Sequence, residues 1–325
     1  MSWNTIESDA GVFTQLVKDL GVKGIQFEDV PVLDMLEELG SSLYGVIFLF
    51  QYDPKNYSRD APIQGEYSYD YPDSLFFAQQ TISNACGTQA VLNTLLSIYE
   101  SKSDSVSLGE TLTSFLDFTS AFKDAALRGE TISNSEQIRS VHNSFSSPDP
   151  FVMEDKRQRD SGAETSEVFH FVGFIQHNGE IYELDGLQPA PIIHKEFGKG
   201  NEDAILFPSN MAQLLQQRIS KISGIDGKFS VIAIIKDVID DLNTKLQGNL
   251  ITEYEYQSKI STELEKRDAW AKEIALRKQN LYGLVYDLLK QVGASMSDRE
   301  FQEHVKQAQK ATMARITKKF SENPN

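Results

Sequence analysis

The sequence of 325 residues contains one cysteine, Cys86. A single cysteine excludes a disulfide within the chain, and it excludes a thiolate zinc site, which needs two or more clustered cysteines. No stretch approaches the roughly 18 consecutive apolar residues of a membrane-spanning helix. The N-terminal sequence MSWNTIESDAGVF also lacks the basic and apolar regions of a signal peptide. We therefore expect an intracellular protein in a reducing compartment, where a free thiol survives.

Basic residues are scarce as well, with 31 Lys and Arg against 47 Asp and Glu. The net charge of −16 divides into +2 for residues 241–325 and −18 for residues 1–240. An acidic body repels nucleic acid and anionic lipid, so neither is expected as a partner, and it favours a basic partner. Acidity of this kind also keeps a protein soluble, and charge alone does not separate the two interpretations.

Apolar residues are abundant, at 40% of the chain with 10% aromatics, which is ample for a packed core. Both helices and strands are predicted along the first 236 residues, and long charged helices are predicted from about residue 237. A helix is predicted over 7–20, capped by Ser8 or Asp9, and another begins between Asn84 and Cys86. The remaining predicted elements are a strand over 44–50, helices over 107–122 and 133–144, two strands flanking Asn178-Gly179, and a strand over 229–235.

Cys86 has two interpretations, a nucleophile or a small apolar core residue. A helix start favours the thiolate through the helix dipole and unpaired N–H groups, yet unpaired cysteines are usually buried. A nucleophilic thiol needs a base. His170 is a candidate, because an imidazole inside an apolar strand is unusual unless it has a function. The other histidines are His142, His177, His194 and His304.

The dipeptide Asn178-Gly179 favours a two-residue type I′ hairpin turn, because that turn needs positive φ at both central positions. With this turn Asp185 faces Val172, and His170 becomes its diagonal neighbour at a Cα separation of roughly 7–8 Å. The hairpin then holds an imidazole beside a carboxylate, either as a base with its orienting group or as a buried pair that serves stability. Gln80 and the Cys86 backbone N–H are candidate donors to an oxyanion.

Several segments together resemble the ubiquitin C-terminal hydrolases, which are papain-like cysteine peptidases. They are WNTIESDAGVFTQL, YGVIFLF, FFAQQTISNACGTQAVLNTLL, NSEQIRSVHNSF, VFHFVGF, IYELDGL and FSVIAII, and the resemblance covers about residues 3–236. The part that follows resembles the C-terminal extension of the larger, proteasome-associated subtype. One departure is Gly87, where these enzymes often have alanine.

The resemblance implies an α+β fold, a papain-like antiparallel sheet between helices with a knotted backbone, followed by an α-helical extension. It divides the chain into a catalytic domain, 1–236, with a crossover loop at about 145–166, and an extension, 237–325, for partner docking.

The resemblance also assigns roles to four residues and implies a localisation in the cell. Cys86 is the nucleophile, His170 the general base and proton donor, Asp185 the group that orients His170, and Gln80 the oxyanion stabiliser. No cofactor or metal is implied. Cytoplasmic and nuclear localisation is implied.

The expected function is hydrolysis of amide and isopeptide bonds at the C-terminal glycine of ubiquitin, through a thioester. One alternative is a ubiquitin- or proteasome-binding scaffold with dormant catalytic activity. Another is a papain-like hydrolase that acts on a different small protein tail or on a non-protein amide.

Six apolar residues of the extension recur with helical spacing and form one wide stripe. They are Leu281, Leu284, Val285, Leu288, Leu289 and Val292. Ser297 and Glu300 predict a capping box for a further helix over 298–320. The stripe packs either on the catalytic domain or on a partner. The resemblance favours a ubiquitin receptor of the proteasomal 19S regulatory particle.

Overall fold

The computed structural model describes residues 3–52, 59–146, 168–198, 206–222, 228–279 and 281–322. The chain divides into two compact units, Met1–Lys278 and Gln279–Asn325. Except for Phe145 and Ser146, the predicted crossover loop lies outside the described residues.

The first unit contains ten helices and seven strands among its described residues. The helices are α1 Ala10–Asp19, α2 Met35–Leu39, α3 Cys86–Lys102, α4 Gly109–Thr119, α5 Ala125–Asn134, α6 Glu136–Asn143, α7 Lys195–Gly198, α8 Phe207–Ile222, α9 Val238–Gln247 and α10 Glu253–Arg277. The strands are β1 Ile25–Asp29, β2 Leu43–Tyr52, β3 Glu66–Tyr67, β4 Val168–His177, β5 Glu180–Leu184, β6 Ile192–Ile193 and β7 Phe229–Lys236.

The strands that the structure describes form one antiparallel sheet in the order β1-β7-β2-β4-β5-β6-β3. Side chains alternate across the sheet, as the pleat requires. Ile47 joins the apolar cluster that includes residues of α1 and α3, whereas Phe48 joins the cluster that includes residues of α2 and α8. Helices therefore cover both faces, which confirms the predicted antiparallel sheet between helices.

The β4–β5 hairpin has the predicted turn and register. Asn178 and Gly179 both adopt positive φ, 50° and 78°. Gly173 pairs with Leu184, and His177 pairs with Glu180. The register follows from the local demand for positive φ at two adjacent residues.

Most of the other elements agree with the sequence prediction. Asp9 caps α1, accepting the Val12 N–H at 2.9 Å. The predicted strands appear as β2 and β7, and the predicted helices as α4 and α6. The sequence analysis missed seven elements: β1, α2, β3, α5, β6, α7 and α8. Five of them, β1, α2, β3, β6 and α7, have five residues or fewer, which is too short for a periodic pattern, and α5 is only weakly amphipathic.

α10 packs on the rest of the first unit. Ile274 is buried in the core cluster that includes α1 and α3, and Trp270 packs against that cluster. A polar network joins the same helix to β1: Gln26 Nε2 donates to Glu263 Oε1 at 2.9 Å, and Arg267 Nε donates to the same oxygen at 2.7 Å. The first compact unit therefore extends to Lys278, past the boundary predicted at residue 236.

The second unit contains α11 Tyr282–Ser295 and α12 Asp298–Glu322. The predicted capping box is present, since the Ser297 N–H donates to Glu300 Oε2 at 2.9 Å and the Glu300 N–H donates to Ser297 Oγ at 3.4 Å. Among the described residues, none of the helices is both long enough and apolar enough to cross a membrane.

Candidate active site

Cys86 is the first residue of α3, immediately after a short 3-10 turn at Ser83–Ala85. The thiol is only partly exposed. Burial raises its pKa above the ordinary 9.0, whereas hydrogen bonds from the backbone N–H groups of Gly87 and Cys86 lower it. Burial has the larger effect, so the helix start does not ionise the thiol by itself, contrary to the expectation from its position. The thiol needs a base.

His170 and Asp185 form a buried pair on the hairpin, as the predicted register requires. His170 Nε2 lies 2.6 Å from Asp185 Oδ1, and the two side chains are 3% and 0% exposed. The Leu187 N–H donates to the same carboxylate oxygen at 2.9 Å. The ring of Phe50 packs edge-on against the imidazole with centroids 5.9 Å apart. The carboxylate and the imidazole are therefore fixed in orientation from several sides.

The turn that carries Asp185 is itself anchored. The Gln188 N–H donates to the Asp185 carbonyl at 3.0 Å, and Gln188 Oε1 accepts the Tyr67 hydroxyl at 2.6 Å. Burial raises the pKa of Tyr67 to about 12, which keeps this hydroxyl a donor at neutral pH.

α3 lies directly on β4, which brings the cysteine and the histidine to the same place. A Cβ on Gly173 would fall 2.0 Å from Thr94 Oγ1, so only glycine allows the helix this close to the strand. A Cβ on Gly87 would lie 3.6 Å from the Phe171 ring. Gly87 and Phe171, which follow Cys86 and His170 in the sequence, are thus neighbours. The same 3.6 Å is ordinary contact, so an alanine fits at position 87.

Gln80 lies beside the turn that carries Asp185. Its backbone N–H donates to the Gly186 carbonyl at 2.8 Å. A Cβ on Gly186 would lie 3.0 Å from Gln80 Cβ and 3.4 Å from Gln89 Cγ, in the first turns of α3. Gln80, the Asp185 turn and the start of α3 therefore meet at one point, although their sequence positions are far apart.

Three buried polar residues that the sequence analysis missed hold this arrangement together. Asn93 and Ser97 on α3 accept the backbone N–H groups of Ala78 and Phe76, each at 3.0 Å, and Gln89 Nε2 donates to the Ala78 carbonyl at 3.0 Å. These side chains bind the backbone N–H and C=O groups of the segment before Gln80, as a neighbouring β-strand would. The signal was a polar residue at every fourth position, 89, 93 and 97, of a largely apolar helix.

The remaining histidines lie elsewhere. His142, His177 and His194 are buried and hydrogen-bonded to other groups, and His304 is exposed in the second unit. Among the described residues, no group of three or more His, Cys, Asp and Glu side chains could hold a metal ion.

A family model described as ubiquitin carboxyl-terminal hydrolase, family 1, matches residues 3–220. The chain belongs to this family. Ubiquitin carboxyl-terminal hydrolase 2 of Schizosaccharomyces pombe is 40% identical over 292 residues, which are 89% of this chain and 90% of that protein. Ubiquitin carboxyl-terminal hydrolase ubh-4 of Caenorhabditis elegans is 34% identical over 298 residues, 89% of this chain and 87% of that protein.

Solved structures agree with the family assignment. UCH37 of Trichinella spiralis bound to ubiquitin vinyl methyl ester has a TM-score of 0.62 at 30% identity, covering 82% of this chain and 99% of that one. The family member described here is therefore a deubiquitinating hydrolase of the cysteine type, and Cys86 is its sole cysteine. This confirms the predicted family, fold and enzyme class.

Proposed function

We propose that Cys86, His170, Asp185 and Gln80 carry the hydrolysis at the C-terminal glycine of ubiquitin. The observation that supports this most strongly is the buried His170–Asp185 pair at 2.6 Å, with His170 on the strand against which the helix of the only cysteine is packed. The pair supplies the base that the un-ionised thiol needs.

The carboxylate fixes the imidazole tautomer. A carboxylate accepts hydrogen bonds, so His170 Nε2 carries the proton that points to Asp185, and Nδ1 is the nitrogen that takes the thiol proton. Asp185 is 0% exposed, and its charge stabilises the imidazolium once it forms.

In the first step Nδ1 of His170 takes the proton from Cys86, and Sγ attacks the carbonyl carbon of the ubiquitin C-terminal glycine. The negative charge on the carbonyl oxygen is held by the Gln80 side-chain amide and the backbone N–H of Cys86. The C–N bond then breaks, and the imidazolium gives its proton to the leaving amine. A thioester between ubiquitin and Cys86 remains.

In the second step His170 takes a proton from water, and the hydroxide attacks the thioester carbonyl. The C–S bond breaks, the thiolate recovers its proton from the imidazolium, and ubiquitin leaves with a C-terminal carboxylic acid that loses its proton to water.

Replacement of Cys86 or His170 by alanine tests these roles. Each variant should lose turnover of a ubiquitin C-terminal amide carrying a fluorophore. His177→Ala is a matched control, because His177 is also a buried histidine of β4 and is 2.9 Å from Ser74 instead of a carboxylate. If His177→Ala loses as much turnover as His170→Ala, the loss results from damage to the fold. Turnover by Cys86→Ala would disprove the mechanism. A wild-type chain that binds ubiquitin without turnover would support the dormant scaffold.

The acidic part of the chain, residues 1–240, is proposed to attract the basic tail of ubiquitin. Residues 1–240 carry −18, and opposite charges accelerate association. The value of kcat/KM should therefore fall as salt rises, because salt screens charges that are exposed to solvent. A kcat/KM that does not change with salt would remove this role.

The stripe on α11 is proposed to dock on a ubiquitin receptor of the proteasomal 19S regulatory particle. Its six residues are between 46 and 65% exposed. An amphipathic helix with such a face binds in the groove of a partner. Docking of this kind places the protein where proteasomes are, in the cytoplasm and the nucleus, which imaging of a tagged chain tests.

Leu284→Asp with Leu288→Asp should abolish co-purification with proteasomes and leave turnover of the small substrate unchanged. Lys290→Asp with Ala294→Asp is the matched control, since both residues are exposed on the opposite face of α11 and the same side chains are introduced. Proteasome binding that survives the first pair, or is lost equally with the second, would refute docking through the stripe.

A further inference from the structure

His142, a buried histidine of α6, takes no part in the proposed reaction. It is 0% exposed. Its Nδ1 lies 2.7 Å from Thr88 Oγ1 and its Nε2 lies 2.6 Å from the Asn4 carbonyl. A carbonyl can only accept, so Nε2 carries the proton, and Nδ1 accepts the Thr88 hydroxyl. Burial lowers the pKa of His142, which keeps the imidazole neutral in this tautomer at neutral pH.

Thr88 is the second residue after Cys86 and is fully buried in the first turn of α3. A matching bond lies on the other side of the cysteine. Asn84, two residues before Cys86, donates its Nδ2 to the Trp3 carbonyl at 3.1 Å. Both flanks of Cys86 are thus tied to two adjacent residues of the N-terminal segment, one directly and one through His142.

The N-terminal segment is itself fixed. The Asn4 N–H donates to Asn143 Oδ1 at 2.9 Å, and Trp3 is buried with its ring edge-on to His142, centroids 4.9 Å apart. The segment is therefore attached to α6 through both Asn143 and His142.

The start of α3 needs such an attachment, because Ala85 stands at its N-cap. An alanine side chain cannot accept the unpaired N–H groups of the first turn, as serine, threonine or aspartate would. The turn that carries Cys86 therefore has no cap of its own to fix it.

We infer that Trp3–Asn4, Asn84, His142 and Thr88 form a brace that positions Cys86 for attack, with His142 and Thr88 as positioning residues. The inference rests on Cys86 being the nucleophile. A misplacement of about 1 Å at a reacting atom costs up to on the order of a hundredfold in rate, so a brace on both flanks affects kcat before it affects binding.

Thr88→Val tests the brace, because valine keeps the shape and removes the hydroxyl. With the ubiquitin fluorophore substrate, kcat should fall on the order of tenfold while KM stays within about twofold. Thr88→Ser keeps the hydroxyl and should restore kcat. Alkylation by iodoacetamide is a second readout that reports on Cys86 alone, since it is the only cysteine. At neutral pH it should be slower in Thr88→Val than in the wild type or Thr88→Ser.

His142→Leu should reproduce the effect of Thr88→Val, and the double variant should be no worse than either single one, because both remove the same connection. The brace is refuted if Thr88→Val lowers only the melting temperature while kcat and alkylation stay unchanged, or if Thr88→Ser loses as much as Thr88→Val. A wild type without turnover would instead refute the proposed mechanism, and the alkylation contrast would still test the brace.

Discussion

Ile274→Ala should destabilise the catalytic unit, although Ile274 lies well beyond the residues that match the family model. Ile274 is 7% exposed within the core cluster that also contains residues of α1 and α3. The substitution removes three buried carbon atoms, each worth about 0.8 kcal/mol, and the better helix propensity of alanine returns about 0.4 kcal/mol. With a small cavity term, the free energy of unfolding should fall by about 2–3 kcal/mol.

Leu276→Ala is the matched control, because Leu276 lies in the same helix and is 62% exposed. It also loses three carbon atoms, but its cost should stay below about 0.5 kcal/mol. Urea unfolding followed by circular dichroism measures both variants, and the midpoint should shift in Ile274→Ala without a change in the slope.

Equal costs for the two variants would refute the assignment of α10 to the catalytic core. If the assignment holds, a chain that ends at residue 278 keeps the stability and small-substrate turnover of the full chain. A chain that ends at residue 240 loses stability, because it exposes the surface that Trp270 and Ile274 cover.

Three further predictions concern the site. Asp185→Asn should lower kcat on a ubiquitin fluorophore substrate and leave KM within about twofold, because Asp185 orients His170 instead of touching the substrate; a raised KM with normal kcat would contradict this. Gln80→Ala should raise the activation barrier by about 2–4 kcal/mol and so lower kcat. If kcat falls less than about tenfold, the oxyanion donor lies elsewhere. In His170→Ala, the midpoint of the pH profile for alkylation of Cys86 by iodoacetamide should lie above 9.0, because the rate follows the fraction of thiolate and burial raises the pKa of the thiol. Fast alkylation of that variant at pH 7 would show that His170 is not needed to ionise the thiol.

The hairpin could be predicted from the sequence because its cause is local. Two residues that tolerate positive φ set the turn, the turn sets the register, and the register places Asp185 near His170. The caps of α1 and α12 are local in the same sense, since Asp9 and the Ser297–Glu300 pair act within three residues.

The thiol's environment could not be predicted in this way. A helix start predicts a lowered pKa, but the ionisation of Cys86 depends on how much of the surrounding core excludes water, and burial outweighs the N–H groups. That balance is a property of packing between α3, β4 and the N-terminal segment, and such packing leaves no periodic pattern in the sequence.

The C-terminal boundary of the first compact unit also depends on tertiary contacts that the sequence does not reveal. The sequence of α10 is that of a charged helix, and only a few of its residues are buried. One of them, Glu263, accepts a hydrogen bond from Gln26, which is far away in the sequence. Only the structure shows that the partners of Glu263 and Arg267 lie on β1 and after β7, at Gln26 and Asp237.

The sequence by itself therefore determined the family, the hairpin and the apolar stripe of α11, because short motifs and periodicity carry these. Only the tertiary structure decided that Gly173 lets α3 approach β4, that polar residues of α3 hold the Gln80 segment, and that Trp3 and Asn4 flank Cys86. The physical reason is that these contacts join residues tens to more than a hundred positions apart, and their energies exist only once the core has closed.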